Sequence, residues 1–285
     1  MHHIRAAWNL LLIALWTAIL IPAQAMVLLL GRRAAERVPM LYHRGIARII
    51  GLRIDVRGEI SNVRPTLFVA NHSSWLDITV IDSIIPVCFV AKREVAAWPL
   101  FGLLAKLQRT VFVERSPSRT AEQRDEMRER LAAADNLVLF AEGTSSDGGG
   151  VLPFKSSFFA LAEQPLGGQE LTVQPMSITY VAINGLPLGR HLRPVLTWFA
   201  DMDMGPHAWG VLGIGPVSVA VRFHPPVTIE AFGSRKALAA HCEARIAGSV
   251  SDAIAGRQRA PPPQPPNVAR VGRGCLDSGL PSATF

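Results

Sequence analysis

Residues 6–31 carry no charged side chain and are mostly apolar, AAWNLLLIALWTAILIPAQAMVLLLG. A helix over that run is long enough to cross a bilayer. Pro22 and Gln24 interrupt it, so helices lying in the membrane interface fit the same pattern. Arg5 before the run and Ala23-Gln24-Ala25 within it have the look of a cleavable leader, but the apolar stretch continues past that point to Leu30. Beyond it the pattern changes to short apolar runs at 66–70, 87–91, 110–113 and 137–140. Each is rich in Val, Phe or Leu and bounded by polar or turn residues, which predicts buried strands. Residues 40–50, ahead of these runs, and 74–83, 94–108 and 119–133, between them, read as helices. The third has an apolar set of Val95, Trp98, Leu103, Leu104 and Leu107. The fourth is charged almost all round and reads as a solvated face. After residue 150, strands are predicted at 171–183, 195–199 and 217–223, with a closing helix at 237–255.

Alternating strands and helices predict an α/β fold with a sheet covered on both sides. The chain divides into an anchor (1–33), a basic connector (34–60), one α/β domain (61–258) and a tail (259–285) whose Pro and Gly density predicts disorder.

Charge refines this picture. The net charge is +7, and residues 32–57 hold seven arginines against two acids. A basic cluster directly after an apolar segment suits an anionic lipid surface better than nucleic acid. It also predicts that the downstream domain faces the cytoplasm, at the inner membrane. The three cysteines, Cys88, Cys242 and Cys275, are far apart and form neither a disulfide framework nor a metal pattern.

The chemistry centres on Asn71-His72-Ser73-Ser74-Trp75-Leu76-Asp77, at the end of a predicted strand. A histidine acts as a base when a carboxylate at Nδ1 fixes its tautomer. No serine or cysteine sits beside it as a nucleophile, so the base is expected to activate a hydroxyl of the substrate. The plainer role for Asp77 is helix capping, because Ser74-Trp75-Leu76-Asp77 matches a capping box. A second block, Phe140-Ala141-Glu142-Gly143-Thr144, ends another predicted strand, where open α/β sheets bind ligands. Between the two, Arg115 follows Val111-Phe112-Val113-Glu114, and its planar fork suits an oxyanion. The glycines 148–150 read as a flexible turn. Neither G-x-S-x-G nor a phosphate-cradling Gly-Lys-Ser/Thr loop is present. Asp201-Met202-Asp203 with His207 reads as an acidic loop, and no metal is expected.

In order, NHSSWLD, VFVER, FAEGT and Val173-Gln174-Pro175 resemble the four blocks of the 1-acylglycerol-3-phosphate acyltransferase family. The longer stretches resemble the bacterial branch of that lysophospholipid acyltransferase superfamily, which includes lyso-ornithine lipid acyltransferases. The resemblance implies a glycerolipid-acyltransferase-like mixed sheet flanked by helices. It implies His72 as general base and Asp77 as its orienter. Arg115 would bind the acceptor's anionic head group, Glu142, Gly143 and Thr144 would line the acceptor site, and Lys155 would be a further basic group there. The implied reaction moves an acyl chain from acyl-ACP or acyl-CoA, as co-substrate, to the free hydroxyl of a lysolipid, with no resident cofactor. Lysophosphatidate is the acceptor placed first, and lyso-ornithine lipid is the alternative. A non-catalytic lipid-binding protein is the rival of another class. Ala141 departs from the proline common in the third block, which loosens the turn before Glu142.

Overall fold

The computed structural model describes residues 1–114 and 120–257. Arg115, the tail from residue 258 and Cys275 lie outside the described residues. In chain order the α-helices are α1 (His2–Leu28), α2 (Arg32–Ala35), α3 (Arg37–Ile50), α4 (Leu76–Ile84), α5 (Phe101–Leu107), α6 (Thr120–Ala132), α7 (Met204–Ile214) and α8 (Arg235–Ile254). The strands are β1 (Leu52–Arg57), β2 (Thr66–Ala70), β3 (Cys88–Lys92), β4 (Val111–Val113), β5 (Leu137–Phe140), β6 (Thr172–Ile183), β7 (Leu186–Pro187) and β8 (Val217–Phe223).

The strands form a mixed sheet in the order β1-β8-β6-β2-β5-β3-β4, with β7 hairpinned onto β6. From β6 through β2, β5 and β3 to β4 every pairing is parallel. β8 runs antiparallel to β6, and β1 runs parallel to β8. The carboxyl ends of β2, β5 and β3 therefore share one edge of the sheet, and the chemistry gathers there.

Alternation along each strand sorts side chains to two faces. On β2, Phe68 and Ala70 join one core with Val138, Ile178, Tyr180, Val80 of α4 and Ile50 of α3. Leu67 and Val69 join the other with Leu137, Val173, Leu131 of α6 and Leu238, Cys242 and Ile246 of α8. Every residue of β2 is buried, as expected for a strand between two parallel neighbours. α8 starts where the Ser234 hydroxyl accepts from the Ala237 N–H.

The sequence misplaces four features. The expected connector is part of the domain: α3 packs on α4, and β1 is an edge strand of the sheet. The run 94–108 is two elements, a 3-10 turn (Arg93–Ala97) and α5. Pro99 supplies no N–H, and Leu100 adopts φ +61°, which ends one element and starts the next. Residues 195–199 are not a strand. They follow a 3-10 turn (Arg190–Val195) containing Pro194 and bind the loop after β2, where the Trp198 N–H donates to Ser73 O at 2.8 Å and the Ser74 hydroxyl to Leu196 O at 2.6 Å. α7 was not anticipated, because its Gly and Pro content hides its period.

α1 is 27 residues long and is apolar enough to cross a membrane. It is nonetheless fastened to the domain along its length. Asn9 donates to Leu212 O at 2.9 Å, and Trp16 to Tyr42 O at 3.1 Å. The Thr17 and Tyr42 hydroxyls pair, and Gln24 donates to both Ala35 O and Leu107 O. Its polar residues thus face inward, while Leu10, Leu11, Leu15 and Ile19 are exposed. A double Asn9→Leu, Gln24→Leu variant leaves the Leu212, Ala35 and Leu107 carbonyls without these donors. At about 1–3 kcal/mol for each buried group left unpaired, thermal unfolding in detergent should come at a clearly lower temperature, with helical circular dichroism retained before the transition.

Candidate active site

The site is built where β2 ends. Asn71 extends the β2–β6 pairing by one residue with its side chain. Its amide N–H donates to Ile178 O and its carbonyl accepts from the Ile178 N–H, both at 2.9 Å. The chain is pinned there and turns away from the sheet, presenting His72. α4 then begins, with Asp77 in its first turn.

Asp77 is fully buried. One of its oxygens, Oδ2, accepts from the Ser73 and Ser74 backbone N–H groups at 2.8 and 3.0 Å and meets His72 Nδ1 at 2.9 Å. The other, Oδ1, accepts from the Tyr180 hydroxyl at 2.6 Å. Two backbone N–H groups and the phenol donate to it, and a proton on Nδ1 would complete the set and leave Nε2 with a lone pair. One oxygen serves two contacts: Asp77 caps the Ser74 N–H, as the capping box predicts, and meets the imidazole. Burial, reinforced by the neighbouring Asp77 charge, raises the Tyr180 pKa well above its ordinary value, so the phenol stays a donor.

The ring of His72 is about one-fifth exposed. Its face lies on Phe140, with centroids 4.1 Å apart and planes 22° from parallel, and Phe140 in turn stacks on Phe89. Its backbone is fixed too. The Ser146 N–H donates to His72 O at 2.9 Å, and the His72 N–H donates to Glu142 Oε1 at 2.7 Å.

That last contact gives Glu142 a structural part. Its side chain is buried, and its second oxygen accepts from the Leu152 N–H at 2.9 Å. The carboxylate ties the two motif loops together. Gly143 and Thr144 are the accessible part of that block. Gly143 has φ +70°, and a β-carbon on it would lie 2.8 Å from Lys155 Nζ, so the exposed ammonium sits directly over this glycine. The structure therefore gathers His72, Asp77, Glu142, Gly143 and Lys155, with Thr144 adjoining. His207, expected in an acidic loop, lies in the first turn of α7 and accepts from the Trp75 indole N–H at 3.1 Å. Tyr180 and Phe140 were missed as site residues. Their signal is positional: each lies on a strand that the sequence does identify, but the partner comes from elsewhere in the chain.

The acyltransferase family profile matches residues 53–179, which include both motif loops. A lyso-ornithine lipid O-acyltransferase of Brucella abortus is 44% identical over 243 residues, covering 84% of this chain and 91% of that protein. This chain belongs to the acyltransferase family. A second relative, the lyso-ornithine lipid O-acyltransferase of Rhizobium meliloti, is 40% identical and covers 90% of this chain and 89% of its own. The 1-acyl-sn-glycerol-3-phosphate acyltransferase of Neisseria meningitidis is 30% identical, with 63% and 68% covered. The crystal structure of the acyltransferase PlsC from Thermotoga maritima has the same fold, with a TM-score of 0.61 at 21% identity over 88% of this chain and 97% of that one. The α/β acyltransferase fold and enzyme class read from the motifs are thus shown.

Two measurements check the geometry. Tyr180→Phe removes one donor from a buried carboxylate. A hydrogen bond to a charged group contributes about 1.5–3 kcal/mol, so the variant should lose stability by that order and lower kcat more than it raises KM. Glu142 gives a pH test. Burial pushes its pKa up to about 7, against the opposing pull of the two backbone donors. A carboxyl raised in the folded state contributes stability that is full at low pH and is lost as pH climbs through about 7. The melting temperature of Glu142→Gln should therefore gain on the wild type between about pH 5 and 8. Parallel pH curves would refute the assignment.

Proposed function

We propose that this acyltransferase moves a fatty acyl chain from a thioester to the free hydroxyl of a lysolipid, with lyso-ornithine lipid as the acceptor. The observation that carries the chemistry is the His72–Asp77 contact. With Nδ1–H held by Asp77, Nε2 takes the proton from the acceptor hydroxyl as its oxygen attacks the thioester carbonyl. The C–O bond forms, the C–S bond breaks, and the thiol leaves with a proton returned from the imidazolium. Acyl-ACP or acyl-CoA serves as donor, with no resident cofactor or metal taking part.

The identities of 44% and 40% to two lyso-ornithine lipid enzymes, against 30% to the lysophosphatidate enzyme, reverse the order of acceptors given by the motifs alone. Lysophosphatidate is the second reading, supported by that third relative. Both acceptors carry an anion near a hydroxyl. Lys155 over Gly143 is the described cation placed to meet it, with Arg115 its proposed companion.

The docking of α1 supports a membrane-associated protein whose helix lies in one leaflet. A helix held to the domain from Asn9 to Gln24 keeps little free length to cross a bilayer, and its outward apolar face suits the acyl boundary. The arginines after it favour the cytoplasmic face of the inner membrane.

Purified protein supplied with one labelled acyl donor and a panel of lysolipids should yield two-chain lipid, with lyso-ornithine lipid turned over fastest. Free fatty acid alone would indicate a thioesterase, and no product a binding protein. Removing the base should cost about 10²–10⁴ in rate, so His72→Ala should lose transfer while still sedimenting with vesicles. Near-normal turnover by that variant on every acceptor would refute the mechanism.

A further inference from the structure

The segment between β3 and α5 has large apolar side chains and little to cover them. Trp98, Leu100, Phe101 and Leu103 are 38%, 55%, 51% and 48% exposed. Trp98 and Phe101 meet edge to face, with ring centroids 6.4 Å apart. The outward aim is built in. Gly102, between two of these residues, is buried, and a β-carbon there would lie 2.3 Å from Ala96 O, so the turn is closed tightly behind it. Leu100 takes φ +61°, a left-handed backbone conformation that is strained for a residue with a side chain, at the tip of the turn. Burial within the chain does not offset that strain, because Leu100 is the most exposed of the four.

Two placements say what covers this surface. α5 packs against α1, and Gln24 of α1 donates to Leu107 O at 2.8 Å, so the turn adjoins the helix whose outward face is apolar. The turn also follows the carboxyl end of β3, at the sheet edge where β2 and β5 deliver His72 and Phe140. Phe89 of β3 stacks on Phe140, which stacks on His72. An exposed Trp–Phe pair with flanking leucines suits the boundary between head groups and acyl chains.

We infer that residues 98–103 form a second membrane contact, inserted into the acyl boundary of the leaflet on which α1 lies, so that the sheet edge bearing His72 is held against the lipid. The inference rests on the reading that the acceptor is a lysolipid in the bilayer. Two contacts fix the tilt of the domain, which one helix free to roll about its axis does not. The acceptor hydroxyl then reaches Nε2 while its chain remains in the membrane.

The test uses full-length protein and vesicles of phosphatidylcholine and phosphatidylglycerol. With brominated acyl chains, the fluorescence difference between wild type and Trp98→Phe isolates Trp98, whose emission should be quenched. A Leu100→Ser, Phe101→Ser double variant should turn over a vesicle-embedded lysolipid roughly tenfold more slowly, as removal of large apolar contacts implies. On a short-chain acceptor dissolved as monomers its rate should stay within about twofold of wild type, since no membrane contact is then involved. Leu186→Ser, on the β6–β7 hairpin, should match wild type in both assays. The inference is overturned if Trp98 is not quenched, if the vesicle assay is unchanged, or if both acceptors are affected alike. Wild-type turnover of the dissolved acceptor checks the acyl-transfer reading separately.

Discussion

A carboxylate sealed from water costs several kcal/mol unless its lone pairs are filled, and Asp77 is fully sealed. Four donors fill them: two backbone N–H groups at the start of α4, a phenol from β6 and the imidazole. This arrangement makes the rest of the site follow. The carboxylate's lone pairs are all engaged. In the proposed mechanism the imidazole gives Nδ1–H to it, and Nε2 is the basic nitrogen. The phenol ties the first turn of α4 to β6, so the loop cannot drift from the sheet without baring a buried charge. In the proposed mechanism, catalytic geometry and local stability are thus one requirement, because both are lost if the carboxylate loses its partners.

Glu142 uses the same device with less neutralisation. It too is buried and accepts two backbone N–H bonds, but neither a phenol nor an imidazole hydrogen-bonds to it, and burial raises its pKa to about 7. Asp77 fixes the side chain of His72, and Glu142 fixes its backbone. For the base proposed here, being held at both points means little reorganisation as the proton moves, which is what a preorganised site supplies. The motif spacing acquires a physical meaning here. His72 and Asp77 lie five apart because the loop must turn from a strand into a helix and bring the helix's first turn back to the ring. Glu142 lies one strand away because β2 and β5 are parallel neighbours.

Much of this was legible because the relevant signals are local. β2, β5 and β8 match the runs 66–70, 137–140 and 217–223, since buried strands leave uninterrupted apolar stretches between turn residues. The His72–Asp77 pairing was legible for the same reason, both residues lying on one short loop. What failed was tertiary. Residues 195–199 have strand-like composition, but they brace the loop after β2 through Ser73 and Ser74, and no periodicity reveals that. β1 was hidden in a basic stretch because an edge strand exposes half of its side chains. Tyr180 could not be picked out, because its hydroxyl partner is more than a hundred residues away in the sequence. The family resemblance implied a place for Glu142 at the acceptor site, and its hydrogen bonds between the two motif loops could not be read from the sequence.

The apolar run in α1 shows why hydropathy alone does not set topology. Asn9, Thr17 and Gln24 look like flaws in a membrane segment, yet they are the residues that fasten the helix to the domain. In a water-soluble bundle such residues would face outward and the leucines inward. Here the order is reversed, and the reversal is stable only if something other than water meets the leucines. The Trp98–Leu103 turn presents the same paradox on a smaller scale, beside the same helix. Among the described residues these two exposed apolar surfaces are neighbours, and one adjoins the sheet edge that carries His72. An enzyme whose acceptor and product both remain in lipid gains most from that arrangement. On the reading proposed here, it brings the loop bearing His72 to a mobile substrate without drawing the substrate's chain through water.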